Sequence, residues 1–450
     1  MNPAIPTKKM LWADLTRLFW PVALELMLAS LISMVTMALV SSLGKEAVSA
    51  VGITGQPLMI PFVAIQAFSV GGMALVARSI GMGDKEQARI ACEQSMLLGS
   101  LFGILFGIIM YVWGGTFILW MGATPDYYGM AELFMRYSAI GSVFSSITTM
   151  VSAMLRSAGR VRITMYYNVL SNVVNVLICI LLINGIGPFP ALGILGAAIA
   201  QLVARVIGCA YALYLLLTLR DLPVRPAIKG MFIPNAATIK RIGRIGSPSA
   251  LEQLALRVGL ISFTIYIINL GTAEYAAHNI AGNIHGYVVN FGSAIGVALV
   301  SLVGQNLGAK RADIAQMYFK TAIYMCFLVS AVLIVPLLAA PQYIALVFTR
   351  EPDVIDNIVT ALRILAFFTT SQIFSMAIAG GLRGGGDTTW PLIATVSGVL
   401  GMRMVMGYFF VVAFGWGIAG AWFCWLLDQT MRAVIIYFRY RSGKWKLVKV

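Results

Sequence analysis

The chain has 450 residues, of which 60% are hydrophobic and only 11% are charged, and its formal net charge is +15. A soluble protein of this composition would need a single core far larger than domains of this length build, which argues against an ordinary globular domain. Apolar segments of roughly 20 residues, the length that a helix needs to cross a bilayer, recur without strand-like alternation, which argues against a β-barrel.

Hydropathy and the positions of glycine, proline and charged residues predict an all-α membrane protein with twelve transmembrane helices. In chain order, the predicted spans are 14–42, 51–77, 92–114, 132–155, 163–186, 192–218, 242–269, 278–304, 319–339, 360–382, 390–414 and 417–439. The first span carries Pro21 and Glu25 and follows no small-residue cleavage site, so we expect it to be retained in the mature protein.

The basic residues indicate the orientation in the membrane. Most of the 32 Lys and Arg residues fall in segments that alternate loops place on one side, whereas Lys45 and Arg350 fall on the other. Because Lys and Arg resist translocation, this asymmetry predicts a multi-pass protein with both termini in the cytoplasm. We therefore assign the positive charge to topology and to contact with anionic membrane lipids, and expect no nucleic-acid partner.

The sequence contains an internal repeat. A shift of 227 residues places Pro21 and Glu25 on Pro248 and Glu252. Further pairs in the same register are Leu43 with Leu270, Gly81 with Gly308, and Arg156 with Arg383, and a shift of 224 residues then pairs Gly193 with Gly417. Each half contains six spans, so we expect two six-helix bundles, residues 1–218 and 242–450, joined by a cytoplasmic linker over 219–241. An even number of spans predicts a pseudo-two-fold axis along the membrane normal.

Several short motifs occur in order along the chain. They are Trp20-Pro21, Leu43-Gly44, Pro248-Ser249-Ala250-Leu251-Glu252-Gln253, Val303-Gly304-Gln305-Asn306-Leu307-Gly308 and Gly380-Gly381-Leu382-Arg383-Gly384-Gly385-Gly386-Asp387. With them the chain resembles the multidrug and toxic compound extrusion (MATE) family over essentially its full length, and is similar to the bacterial branch that includes the DNA-damage-inducible F proteins. The resemblance implies an antiporter of the bacterial inner (plasma) membrane that exports organic, cationic, drug-like compounds in exchange for protons or sodium ions by alternating access.

The chain departs from the family at its acidic positions. Thr36 and Cys179 stand where many members carry aspartates in the first and fifth spans, and Leu256 replaces an acid of the seventh. Ion coupling therefore cannot simply be carried over, and an alternative function is the flipping of a lipid-linked or amphipathic precursor. A membrane-embedded enzyme is disfavoured because the sequence shows no cluster of catalytic acids, Ser/His pairs or metal ligands. We expect no cofactor beyond the ion gradient, no metal centre, and a monomer.

Glu25 and Glu252 are the leading candidates for ion coupling or substrate binding. A carboxylate inside a bilayer costs roughly 2.5–3.5 kcal/mol on insertion scales, so both must face protein, water or a partner. Each follows a proline by four residues, and that proline leaves a carbonyl of the preceding turn free to take part in a cation site. The structural alternatives are that Glu252 bonds Arg257 on the same span or nearby backbone, and that Glu25 ties the first span to a cytoplasmic loop.

Other polar residues within the spans are secondary candidates. Gln253 and Arg257 share a span with Glu252, and His285 either contributes to coupling or makes an interhelical hydrogen bond. Asn172 and Asn175 lie with Asn168 and Ser171 on one face of the fifth span, where they either line a cavity or hold helices together. Thr36 and Asn175 could offer oxygens to a sodium ion. Three further charged residues are interpreted as structural ion pairs or anchors: Arg205, Arg403 and Asp428.

Overall fold

The computed structural model describes residues 6–186, 188–219, 222, 225–227 and 229–448, and these are almost entirely helical with no strand among them. The helices of the first half are α1 (Lys8–Ser41), α2 (Lys45–Gly81), α3 (Lys85–Trp120), α4 (Pro125–Ser157), α5 (Val161–Asn184) and α6 (Ile194–Thr218). Those of the second half are α7 (Ala236–Ile268), α8 (Thr272–Gly308), α9 (Ala312–Ala339), α10 (Pro352–Gly384), α11 (Thr389–Ala413) and α12 (Gly417–Arg441). Three short helices also occur: Gly230–Phe232, Pro341–Leu346 and Lys444–Leu447.

The described helices confirm the predicted all-α class and the two six-helix halves. Eleven of them, α1 to α11, are long and apolar enough to cross a membrane. The twelfth, α12, has 25 residues but carries the charged residues Asp428 and Arg432 in its interior. Most of the helices begin or end several residues beyond the predicted spans, because the helical backbone continues past the apolar stretch into the polar boundary.

The chain divides into two compact units whose boundaries lie inside helices rather than in the predicted linker. We call residues 24–246 the N-terminal unit, and residues 6–23 together with 247–448 the C-terminal unit. The first part of α1 thus packs in the C-terminal unit, and the first part of α7 packs in the N-terminal unit. Both boundaries fall beside the helix-interior prolines Pro21 and Pro248. This differs from the predicted division at 219–241, which assumed that each helix stays within one bundle.

Small residues bring the helices of each unit close together. In the N-terminal unit, a Cβ atom on Gly107 of α3 would lie 2.8 Å from Val143 Cγ2 of α4. In the C-terminal unit, a Cβ atom on Gly296 of α8 would lie 2.9 Å from the Met376 carbonyl oxygen of α10. Membrane helices associate by such close packing, because lipid supplies no hydrophobic drive between them.

Helix α11 is irregular. After its first turns it continues as π-helical stretches over Ser397–Val405 and Tyr408–Ala413. A π-helical turn holds more residues than an α-helical one and so changes the direction in which the following side chains point. Arg403, which lies in the first of these stretches, is buried in the C-terminal unit. The sequence pattern does not predict this irregularity.

The described part of the predicted linker is attached to α3. The Glu93 carboxylate accepts a hydrogen bond of 2.8 Å from the Ala227 backbone N–H. The Gln94 side chain donates to the Ile233 carbonyl at 3.0 Å and accepts from the Asn235 N–H at 2.8 Å. Residues 220, 221, 223, 224 and 228 of the predicted linker lie outside the described residues. The described part of this segment is therefore held against α3 by two buried side chains, those of Glu93 and Gln94.

Candidate functional site

Glu25 lies in a cluster of hydrogen-bond donors within the N-terminal unit. Its side chain is 6% exposed. Oε1 accepts hydrogen bonds from Arg156 Nη2 at 2.6 Å and from Asn168 Nδ2 at 2.7 Å, and Oε2 accepts one from Thr164 Oγ1 at 3.2 Å. Arg156 stands at the end of α4, so this ion pair holds the first span to the end of the fourth. A buried carboxylate is stable when it is paired and hydrogen-bonded in this way.

Glu252 occupies the equivalent position in the C-terminal unit. It is 5% exposed and accepts hydrogen bonds from Arg383 Nη2 at 2.6 and 2.8 Å and from Thr395 Oγ1 at 3.2 Å. Arg383 and Thr395 lie 227 residues after Arg156 and Asn168, so the repeat has kept one ion pair and one polar side chain at each carboxylate. The arginine that bonds Glu252 comes from another helix, α10. Pairing of Glu252 with Arg257 stays a prediction.

A polar cavity of about 350 Å³ lies inside the N-terminal unit, between α2, α4, α5 and α6. Asn168, Ser171 and Asn172 of α5 line it, together with serines and threonines of α4 and with Arg205 of α6. Of the two alternatives for the polar face of α5, lining a cavity is therefore confirmed for these three residues. Asn168 also bonds Glu25, so one amide connects the cavity to the ion pair.

Arg205 is the charged residue that lines this cavity, and it lies in the middle of α6. Within the described part of the chain no carboxylate pairs with it, and its one hydrogen bond is a long contact of 3.4 Å to the Ser138 carbonyl. Of the two interpretations of Arg205, a member of an ion pair or an anchor, the described residues therefore supply no ion pair. Sequence alone could not show this, because the absence of a partner depends on which helices surround the side chain.

Thr36 and Asn175 come together as the sequence suggested. Thr36 Oγ1 donates a hydrogen bond of 3.2 Å to Asn175 Oδ1, which joins α1 to α5. This pair brings two oxygens together, whereas a hard cation takes roughly six or more oxygen ligands. No described carboxylate bonds to either residue. Gln253, which lies beside Glu252 in sequence, is half-buried and makes no hydrogen bond with another described residue.

His285 lies apart from the two glutamates, among aromatic rings of the C-terminal unit. Its Nε2 is 3.0 Å from Gln372 Oε1, so it makes the interhelical hydrogen bond, from α8 to α10, that was one of its two predicted roles. Its ring centroid is 4.6 Å from that of Trp425. A role in coupling stays a prediction.

Asp428 of α12 is fully buried and binds two arginines, which confirms the structural ion pair predicted for Arg403. Arg403 Nη2 bonds Asp428 Oδ2. Arg432 Nε lies 2.5 Å from Oδ1, and Arg432 Nη2 lies 3.0 Å from Oδ2. The Arg403 guanidinium also stands over the Trp425 ring at 4.7 Å. Sequence reasoning missed Arg432, which the spacing of four residues from Asp428 on a helix could have indicated.

Comparison with known protein families gives a single result over both halves. The MatE family matches residues 21–181 and again residues 248–409. The two matched segments begin at the equivalent prolines Pro21 and Pro248, so the family unit is the repeat itself. Members of this family are membrane transporters rather than enzymes.

Individual relatives and solved structures agree with this assignment. The chain is 26% identical over 435 residues to a probable multidrug resistance protein NorM of Thermotoga maritima, covering 96% of this chain and 93% of the relative. It is 24% identical over 318 residues to an FAD transporter of Shewanella oneidensis, covering 70% of each.

Two solved structures show the same fold. A multidrug resistance MATE transporter in an outward-facing conformation has a TM-score of 0.89 at 24% identity, over 96% of this chain and 97% of that chain. A MOP superfamily transporter from Pyrococcus furiosus has a TM-score of 0.89 at 24% identity, over 96% of this chain and 95% of that chain. Because the family match covers more than half of the chain, in both halves of the repeat, this multi-pass membrane protein belongs to the MatE family of efflux transporters.

Proposed function

We propose that the protein is a secondary antiporter of the bacterial inner membrane, with both termini cytoplasmic, that exports organic compounds by alternating access in exchange for protons. The observation that carries the proposal is the link through Asn168, which bonds the buried Glu25 carboxylate at 2.7 Å and lines the polar cavity. A change in the charge of Glu25 therefore reaches the cavity through one hydrogen bond.

Protons fit the Glu25 site better than sodium ions do. The three side chains that bond its carboxylate, from Arg156, Thr164 and Asn168, all act as donors. A sodium ion at this place would stand beside the Arg156 guanidinium and would lack further oxygen ligands. A proton on Glu25 instead neutralises the carboxylate and weakens both its attraction to Arg156 and the hydrogen bond that it accepts from Asn168, which lines the cavity. Two charge states of one residue thus favour two arrangements of α1, α4 and α5.

Glu252 lies in the same type of site but serves as the structural counterpart in this proposal. It accepts hydrogen bonds from Arg383 with both oxygens and one from Thr395, which offers a hydroxyl where Glu25 has the amide of Asn168.

The substrate need not be the cation that the family resemblance implies. One relative is named for the transport of FAD, a compound that carries two phosphate groups.

The experiment is efflux from proteoliposomes loaded with ethidium or with flavin mononucleotide (FMN), with a pH gradient and a sodium gradient imposed separately. We expect the pH gradient to drive efflux from vesicles that contain the native chain, and expect Glu25→Gln to abolish that response. Glu252→Gln should retain it. The matched control is Glu132→Gln, which removes an exposed Glu–Arg pair of α4 with a bond of 2.7 Å.

Efflux that follows the sodium gradient and ignores pH would refute proton coupling. Loss of the pH response in Glu252→Gln, with retention in Glu25→Gln, would place coupling in the other half. If the folded native chain responds to neither gradient, the proposed antiport activity is refuted.

A further inference from the structure

We infer that the cavity of the N-terminal unit binds an organic compound through one anionic group, a carboxylate or a phosphate, with Arg205 as its counter-ion. The inference rests on the proposed function, because it names the substrate class of the cavity that Asn168 connects to Glu25. It differs from the cationic substrate that the family resemblance implies.

The charged groups in and around the cavity favour an anion. Arg205 is the charged side chain among its lining residues, and no described carboxylate neutralises it. The nearest other charges that the contacts identify are Glu25 and Arg156, which lie behind Asn168 and compensate each other at 2.6 Å. A charged side chain at the middle of a membrane span is costly and is usually retained for a function. The cavity is thus positive, which repels a cation and attracts an anion.

The available hydrogen bonds point the same way. Arg205 has five N–H donors in a planar fork and uses one of them in its long bond to Ser138. Asn172 and Ser145 also line the cavity, and their side chains make no hydrogen bond to other described residues. By contrast, several hydroxyl groups of the lining already donate to backbone carbonyls, as Ser171 does to Ala204 at 2.7 Å. Three side chains with free donors, one of them charged, match a planar carboxylate or a phosphate.

The other half of the repeat supplies an internal comparison. Arg432 of the C-terminal unit stands where the N-terminal unit has Gly208, and Phe368 stands where it has Gly141. The two glycines make room for the cavity and for Arg205: a Cβ atom on Gly141 would lie 3.0 Å from Arg205 Cδ and Nη1. In the C-terminal unit, the buried Arg432 has a carboxylate partner within its own helix, Asp428, at 2.5 Å.

The repeat register is supported by a matching contact in each unit. A Cβ atom on Gly208 would lie 2.9 Å from Ser171 Cβ, and a Cβ atom on Gly398 would lie 3.0 Å from Arg432 Cγ. Ser171 and Gly398 are repeat equivalents, as are Gly208 and Arg432. One half therefore fills this region with its own carboxylate and arginines, whereas the other keeps an arginine and leaves the place of the carboxylate open.

The test is equilibrium binding to the full chain in detergent micelles, followed by fluorescence anisotropy without any gradient. Riboflavin and FMN share one ring system and chain and differ by the phosphate, which makes them a matched pair. Fluorescein and rhodamine 6G share a xanthene ring and differ in carrying a free carboxylate or a net positive charge. We expect at least one anion to bind about ten- to hundredfold more tightly than its matched partner, the range given by a charge-assisted hydrogen bond. Comparison of the two pairs separates phosphate from carboxylate.

Variants identify the residue responsible. Arg205→Gln introduces the residue that the other half carries at the equivalent position, Gln429, and should remove the preference for FMN over riboflavin and for fluorescein over rhodamine 6G. Arg205→Lys should retain part of the preference, because it keeps the charge and loses the fork. Arg136→Gln, which alters an exposed arginine of α4, is the control and should bind like the native chain.

Several results would overturn the inference. One is that rhodamine 6G binds more tightly than fluorescein while FMN and riboflavin bind equally. Another is that neither anion binds detectably. The third is that Arg205→Gln keeps the preference for the anion. The two matched comparisons on the native chain, taken together, decide the question even where a variant fails to fold. Anion binding without gradient-driven efflux would refute the proposed function alone, and gradient-driven efflux without anion binding would refute this inference alone.

Discussion

Replacing Arg383 by glutamine should destabilise the protein more than the equivalent replacement of Arg156. Removal of one partner from a buried ion pair costs roughly 3–5 kcal/mol, because the other charge stays buried. In Arg383→Gln, Glu252 keeps a single hydrogen bond of 3.2 Å from Thr395. In Arg156→Gln, Glu25 keeps two, from Asn168 at 2.7 Å and Thr164 at 3.2 Å. The additional bond to a charged group is worth about 1.5–3 kcal/mol, so the two variants should differ by that amount.

The double variant Glu252→Gln with Arg383→Gln separates the pair from its parts. Both side chains are then neutral, and the remaining cost should fall to about 1–2 kcal/mol, the range of lost ordinary hydrogen bonds. The double variant should therefore be more stable than Arg383→Gln alone, with a coupling energy of at least about 2 kcal/mol.

Thermal unfolding of the purified chain in detergent, followed by tryptophan fluorescence, measures these differences. One kcal/mol corresponds to about 2–4 °C for units of 150–250 residues, so Arg383→Gln should lower the Tm by roughly 6–20 °C. Arg156→Gln should lower it by several degrees less, and the double variant should recover most of the loss. An equal or larger loss in Arg156→Gln, or additive losses in the double variant, would refute the reasoning that these carboxylates are held by the identified donors.

Three further predictions use matched variants. Gly141→Ala places a Cβ atom 3.0 Å from Arg205 Nη1, so we expect little change in Tm but a several-fold loss of anion binding in the anisotropy assay. Gly296→Ala should cost about 1–3 kcal/mol because its Cβ would meet the Met376 carbonyl at 2.9 Å, whereas Gly286→Ala on the same helix, with open space around it, should not lower the Tm. Glu93→Ala releases the Ala227 N–H and should speed tryptic cleavage of the segment between α6 and α7, whereas Glu86→Ala on the exposed side of α3 should not.

The sequence predicted the twelve helices and the repeat because both depend on local patterns. Apolar length determines a span, and the 227-residue register requires only a comparison of the chain with itself. The polar face of α5 was also predictable, since Asn168, Ser171 and Asn172 share one side of a helix at that spacing. The two buried glutamates were recognised by the cost of a charge in the membrane.

The partners of those residues were not predictable in the same way. Arg156 and Arg383 end their helices among basic residues that report topology, and nothing local distinguishes them from loop arginines. Their role depends on the helices that lie beside α1 and α7, which are distant in sequence. Arg205 shows the converse: no described carboxylate pairs with it, and sequence patterns do not reveal such an absence. The π-helical stretches of α11, which include Arg403, likewise leave no recognisable signature.

Asp428→Ala tests whether an arginine in this region of the repeat requires a carboxylate. The variant leaves Arg403 and Arg432 buried without their counter-ion and should cost roughly 3–5 kcal/mol. It also vacates the space of one carboxylate, so added formate should restore stability as its concentration rises, by about 2.7 kcal/mol at one hundred times its Kd. Formamide, which has a similar size but no charge, should not, and the exposed control Asp126→Ala should respond to neither.

Two results would contradict the requirement for a carboxylate. One is that formate and formamide change the Tm of Asp428→Ala equally, and the other is that this variant loses no stability. Rescue by formate alone would show that this position of the repeat binds a free anion once the chain no longer supplies its own. The N-terminal unit already has that arrangement, because Arg205 lines a polar cavity without any described carboxylate. The same packing of helices would then hold an anion in both halves, from the chain in one and from the transported compound in the other.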